Sequence, residues 1–145
     1  MGVVHRRKAK LWDWEGVPVV PYTGPMGVCG SRRVLIGPRE RAPYFVLRYF
    51  ELPPGCKSSL DAHPYDHGVV ILQGQARVLL GKETVEVQAG DVLYIPPMEV
   101  HQFENISEQP LGFLCVIPNK NLVHLSELGA NLGGDANEGD PLSKS

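Results

Sequence analysis

The seven residues Asp61-Ala62-His63-Pro64-Tyr65-Asp66-His67 hold two imidazoles and two carboxylates, and a further imidazole, His101, stands at the start of a later β-rich run. Imidazole nitrogens and carboxylate oxygens ligate divalent transition ions, and the same groups pair as general acid and base. Residue types alone therefore admit a metal site, a catalytic pair or a polar loop. In an extended chain alternate residues share a face. Asp61, His63 and His67 are all odd-numbered, so Asp61 and His63 on a strand point the same way. Pro64 cannot donate to a ladder, and a bend there turns His67 back towards the same centre. Asp66 falls off that face. His5 and His124 have no such company and read as ordinary histidines.

The elements that must position these groups are strands. Short runs rich in Val, Ile, Leu, Phe and Tyr occupy 33–36, 44–50, 69–72, 76–80, 82–87, 92–95, 101–104 and 111–117, with Gly or Pro at most of the breaks. Such runs at intervals of about ten residues predict an antiparallel sandwich or barrel. No amphipathic helical window competes with them, apart from one short stretch at 121–128. Residues 1–30 contain Trp12, Trp14 and the segment Val17-Pro18-Val19-Val20-Pro21. They are too apolar for a free tail and are expected to form an arm over the sheet or over a partner subunit. The barrel is expected over 31–128 and a flexible, Gly- and Asp-rich tail over 129–145.

The whole chain bounds the function. Its 145 residues suffice for one domain with a core. A net charge of -2 exerts no strong pull on nucleic acid or anionic membrane, and the run His5-Arg6-Arg7-Lys8 is short enough to be solvated surface. No stretch approaches the roughly 20 apolar residues of a membrane span, and no signal peptide is evident. Cys29, Cys56 and Cys115 are odd in number, far apart and without a CxxC pair. They are expected to be unpaired thiols in a reducing, cytoplasmic setting.

The segment from Gly55 to Asn105 resembles the two-motif signature of the cupin superfamily. For the pattern G-x5-H-x-H-x3,4-E-x6-G the chain offers Gly55, Asp61, His63, His67 and Gly74. For G-x5-P-x-G-x2-H-x3-N it offers Gly90, Pro96, Met98, His101 and Asn105, with every spacing kept. The resemblance implies an all-β jelly-roll barrel with a metal in its lumen. Three positions depart from the pattern: Asp61 replaces the first histidine, His67 the glutamate and Met98 a turn glycine. The run 63–67 is similar to small cupins that bind manganese through four histidines.

The implied ligand set is Asp61, His63, His67 and His101, again three imidazoles and one carboxylate. That mixture suits one divalent transition ion, Mn or Fe first, with Zn, Ni or Co also compatible. Asp is shorter than His, and a water-mediated contact from Asp61 would leave a three-histidine site. Cys115, Phe113 and Ile117 alternate on the last strand and line the lumen or simply pack in the core. Tyr65 is placed at the mouth. Glu99 and Glu104 read as solvent-facing, and Asn105 as a turn-holding residue.

The reading that follows is a metal-binding small cupin acting on a small organic molecule, with dioxygenase-like oxidation leading. Isomerase or lyase chemistry on a sugar-like compound, a non-catalytic ligand-binding barrel and a degenerate metal-free barrel stay open beside it. No nucleic-acid or membrane partner is expected. A homodimer is, because the apolar N-terminal arm suits a subunit contact.

Overall fold

Alternating burial marks the strands. In the run 75–80, Ala76 and Val78 are buried while Gln75 and Arg77 are exposed, the half-buried pattern of a strand with one face on a core. The computed structural model describes residues 2–120. Its strands are β1 (Val20–Pro21), β2 (Ser31–Ile36), β3 (Phe45–Leu52), β4 (His67–Gln73), β5 (Gln75–Leu80), β6 (Glu83–Gln88), β7 (Val92–Ile95), β8 (His101–Asn105) and β9 (Leu111–Pro118). One 3-10 turn, Pro38–Glu40, interrupts the loop between β2 and β3. The helix expected at 121–128 and the tail from 129 lie outside the described residues.

Six strands form one sheet in the order β1-β2-β3-β9-β4-β7, and three form another in the order β6-β5-β8. Every paired neighbour is antiparallel. The chain crosses between the sheets at Gly74, whose φ is +81°. A Cβ there would stand 2.6 Å from the carbonyl oxygen of Pro110, so conformation and space both call for glycine. The inner faces of both sheets meet in one apolar cluster. Phe50, Val69, Ile71 and Phe113 come from the large sheet, and Ala76, Val78 and Phe103 from the small one. This is the expected jelly-roll barrel.

The segment from Trp12 to Trp14 is tied to the outer face of the large sheet. Trp12 stacks on Tyr49 with ring centroids 5.6 Å apart, and Trp14 meets the same ring edge-on. Arg33, 3% exposed, holds Asp13 at 2.8 Å. At the far end of the barrel Asn105 does the work expected of it. Its Nδ2 donates to the carbonyls of Leu52 (2.9 Å) and Gln109 (2.8 Å), and its Oδ1 accepts from the Ser107 amide at 2.8 Å.

The cysteine reading is corrected. Cys29 and Cys56 form a disulfide, and only Cys115 is free. The two partners are 27 residues apart, too distant for a sequence motif, yet backbone pairing sets their segments side by side. Val28 bridges Lys57, and the Cys29 amide donates to the Lys57 carbonyl at 3.3 Å. The expected reducing compartment loses the support it took from unpaired thiols. No helix of the described residues is long and apolar enough to cross a membrane.

Candidate metal centre

The polar stretch at 61–67 is mostly not strand. β4 begins only at His67. Asp61 forms a single antiparallel bridge with His101, its amide donating to the His101 carbonyl (3.1 Å) and its carbonyl accepting the His101 amide (2.9 Å). Pro64 lacks the N–H that a ladder would use, and the chain makes a loop from 62 to 66. The loop is pinned where Met98 donates its amide to the His63 carbonyl. Met98 takes φ +65°, so it adopts the left-handed conformation that the motif's glycine would take at no cost.

This arrangement brings three imidazoles together at one end of the barrel. His67 comes from the first residue of β4, His101 from the first of β8 and His63 from the loop. One ring nitrogen of each lies within 4.8 Å of the others. Ring centroids are 4.8 Å apart for His67 and His101, 5.1 Å for His63 and His67, and 5.3 Å for His63 and His101. Imidazole nitrogens bound to one ion at about 2.1 Å stand about 3–4 Å from each other, so small side-chain adjustments bring all three to a common ion.

Hydrogen bonds decide which nitrogens face inward. His101 Nδ1 lies 2.9 Å from the Glu99 carbonyl, which can only accept, so Nδ1 carries the proton and Nε2 keeps its lone pair. His67 Nδ1 lies 3.2 Å from the Cys115 sulfur. His67 Nε2 is buried and has no hydrogen-bond partner among the described residues. A buried polar atom without a partner costs about 1–3 kcal/mol, which a fold tolerates where something else occupies the place. Orienting contacts at the far ring nitrogen are the usual support of a ligating histidine.

Burial keeps two of the rings, His63 and His67, neutral. Burial, helped by the nearby His101, Arg48 and His63, pushes His67 down to about 3. Burial also lowers His63, against the opposing pull of Asp61. Neutral imidazole is the form that binds a metal. Burial raises the Cys115 thiol, although Arg48 opposes it, so the sulfur stays protonated beside His67. Tyr65 lies flat on His63, 4.9 Å between centroids and 5° between planes, and burial raises its phenol too.

Asp61 stands at the rim of this group rather than within it. Its Oδ2 is 3.9 Å from His63 Nε2, with 40% of the side chain exposed, and it accepts a hydrogen bond from the Ser59 hydroxyl. Asp66 accepts from the Tyr94 hydroxyl at 3.0 Å. Glu104 is engaged by Arg77 (3.0 Å) and Lys57 (3.6 Å), so its carboxylate is occupied elsewhere. Two neighbours complete the surroundings of His67. Cys115 is no mere packing residue, since it also accepts from Arg48 Nη2 at 3.2 Å. Arg48 lies outside the motif; its signal in the sequence is an arginine in phase with Val46 and Phe50 on the inward face of β3.

Comparison with known proteins follows the same lines. A cupin domain model matches residues 48–117. A cupin 2 conserved barrel protein from Rhodopseudomonas palustris superposes with a TM-score of 0.70 at 35% identity, covering 80% of each chain. The polyketide cyclase RemF from Streptomyces resistomycificus superposes at 0.68 with 29% identity, covering 81% of this chain and 79% of that one. A 1-methylthio-D-xylulose 5-phosphate methylsulfurylase from Rhodospirillum rubrum is 41% identical over 71 residues, 49% of this chain and 46% of that protein. The chain spans about half the length of the curated relatives it matches. Fold, motif spacing and these likenesses agree: the chain belongs to the cupin superfamily.

Proposed function

We propose that the protein is a metal-dependent enzyme acting on a small organic molecule, with one divalent transition ion held by His63, His67 and His101. The observation that carries this is the buried, unpartnered Nε2 of His67 facing two further imidazoles. Mn or Fe is the leading ion. When bound, it supplies a Lewis acid, or an oxygen-activating centre, for a substrate bearing two neighbouring oxygens. The chain's own groups do the rest. The Glu99 carbonyl and Cys115 orient two of the rings. Phe113 and Ile117, both buried, keep water from the inner side. Asp61, at the rim, supports the site by charge and can accept a proton where substrate enters.

Dioxygenase-like oxidation is the leading chemistry. Non-oxidative isomerase or lyase chemistry is the second reading, favoured because similar proteins are named a methylsulfurylase and a polyketide cyclase. Elemental analysis of tag-free protein tests the site. Stoichiometric metal in the wild type and its loss in His101→Ala are expected; wild-type protein purified without metal and unable to take it up refutes the reading. Oxygen uptake against product formation in a substrate screen then separates the two chemistries. The homodimer belongs to the same reading, with Val19 and Val20, 50% and 40% exposed at the β1 edge, offered to the contact; a mass measurement in solution checks it.

A further inference from the structure

One end of the barrel holds a cavity of about 850 Å³ whose lining, among the described residues, includes Arg32, Arg41, Arg48 and Lys120 and no acidic residue. Four cations in one pocket are unusual in a chain of net charge -2. Cations this close repel one another and are ordinarily matched by carboxylates. Here, among the described residues, none of the four is in an ion pair. The Nε atoms of Arg32 and Arg48 are also buried without a partner. Apolar walls, Val46 and Ile117 among them, lower the local dielectric and strengthen the attraction for an anion.

Topology ties this pocket to the metal centre. Arg32 and Arg48 lie on one face of the β2–β3 pair, where Arg32 opposes Phe50 and Val34 opposes Arg48. Arg48 in turn opposes Cys115 on β9, and Cys115 opposes Val69 on β4. The path of polar contact is short: Arg48 Nη2 donates to Cys115 Sγ at 3.2 Å, and that sulfur lies 3.2 Å from His67 Nδ1. The guanidinium sits over the Phe50 ring, 4.9 Å from its centroid, which fixes its plane. A planar arginine with free N–H groups is built for an oxyanion, and Lys adds a mobile point charge.

We infer that this pocket is an oxyanion subsite, taking the phosphate end of a substrate whose other end reaches the three histidines. Four cations with no counter-charge among the described residues favour a dianion, hence a phosphate monoester, over a carboxylate. The inference rests on the metal-enzyme reading for its second half, and its test is arranged so that the two fail separately.

The probe is inorganic phosphate, titrated into the full chain at pH 8 and constant ionic strength by calorimetry, with acetate and chloride in parallel. Wild-type protein is compared with Arg41→Gln/Lys120→Gln, both exposed positions, with Arg32→Gln, and with His101→Ala. Phosphate is expected to bind at least tenfold more tightly than acetate. It is expected to weaken tenfold or more in the arginine and lysine variants while their metal content stays unchanged. His101→Ala is expected to lose metal and keep phosphate binding. Equal affinity for phosphate and acetate overturns the dianion assignment. Phosphate binding that vanishes with the metal and ignores the arginine and lysine variants overturns the pocket and leaves the metal reading intact. Wild type that holds no metal and takes none up, yet binds phosphate through these residues, overturns the metal reading alone.

Discussion

Replacing Asp61 separates a ligand from a neighbouring charge. In the structure the carboxylate is 3.9 Å from His63 Nε2, partly exposed and held by Ser59, while the three imidazoles close on one another without it. A carboxylate at such a spacing acts through its charge. Two unit charges about 4 Å apart in a water-like dielectric attract by about 1 kcal/mol, so a divalent ion gains about 2 kcal/mol. Asp61→Ala is therefore expected to weaken metal binding by about 5- to 30-fold, and the loss should shrink at high salt because the group is exposed. The fold itself should survive, since Asp61 pairs with His101 through backbone atoms that alanine keeps. Asp61→Asn retains an acceptor for Ser59 without the charge and should behave like the alanine variant. His101→Ala removes one of three donors and should abolish stoichiometric binding. Competition with a chromogenic chelator at two ionic strengths reads all of this. The reasoning is refuted if Asp61→Ala loses metal as fully as His101→Ala, which would make Asp61 a direct ligand. An unchanged affinity would deny it any part.

Three further outcomes follow from named contacts. Met98→Gly should stabilise the protein by about 0.5–1 kcal/mol, because a 61%-exposed side chain leaves a φ of +65° that glycine adopts freely; a lower midpoint in urea would contradict it. Asn105→Ala strips donors from the Leu52 and Gln109 carbonyls and the acceptor from Ser107, and should cost about 2–4 kcal/mol in the same titration. In metal-free protein, His67 titrates near 3 when folded and about 6.5 when unfolded. The unfolded chain thus binds the proton first, and stability present at neutral pH is lost as pH falls from about 6.5 towards 3. At pH 5 the loss approaches about 2 kcal/mol. His67→Gln should flatten that slope, and an undiminished slope in the variant would show that other groups carry it.

What the sequence made legible divides by range. The eight main strands could be read because runs of β-branched, aliphatic and aromatic residues are punctuated by turn residues; each expected run falls within, or within a residue of, an observed strand. β1 could not be read, since a two-residue strand ending at Pro21 leaves no pattern. The three histidines could be found from motif spacing, but the standing of Asp61 could not. Face-sharing presumes a strand, and residues 62–66 loop instead. Cys115 shows the same limit from the other side. Alternation placed it on the inner face, yet a thiol that packs and a thiol that orients His67 have identical periodicity, and only the register of β9 against β3 sets Arg48 opposite it. Arg32, Arg41, Arg48 and Lys120 form no run in the chain, and each alone reads as solvated charge. They become a site because β2, β3 and β9 end together, so the feature most informative about a ligand is the one that required three strands to be in register first.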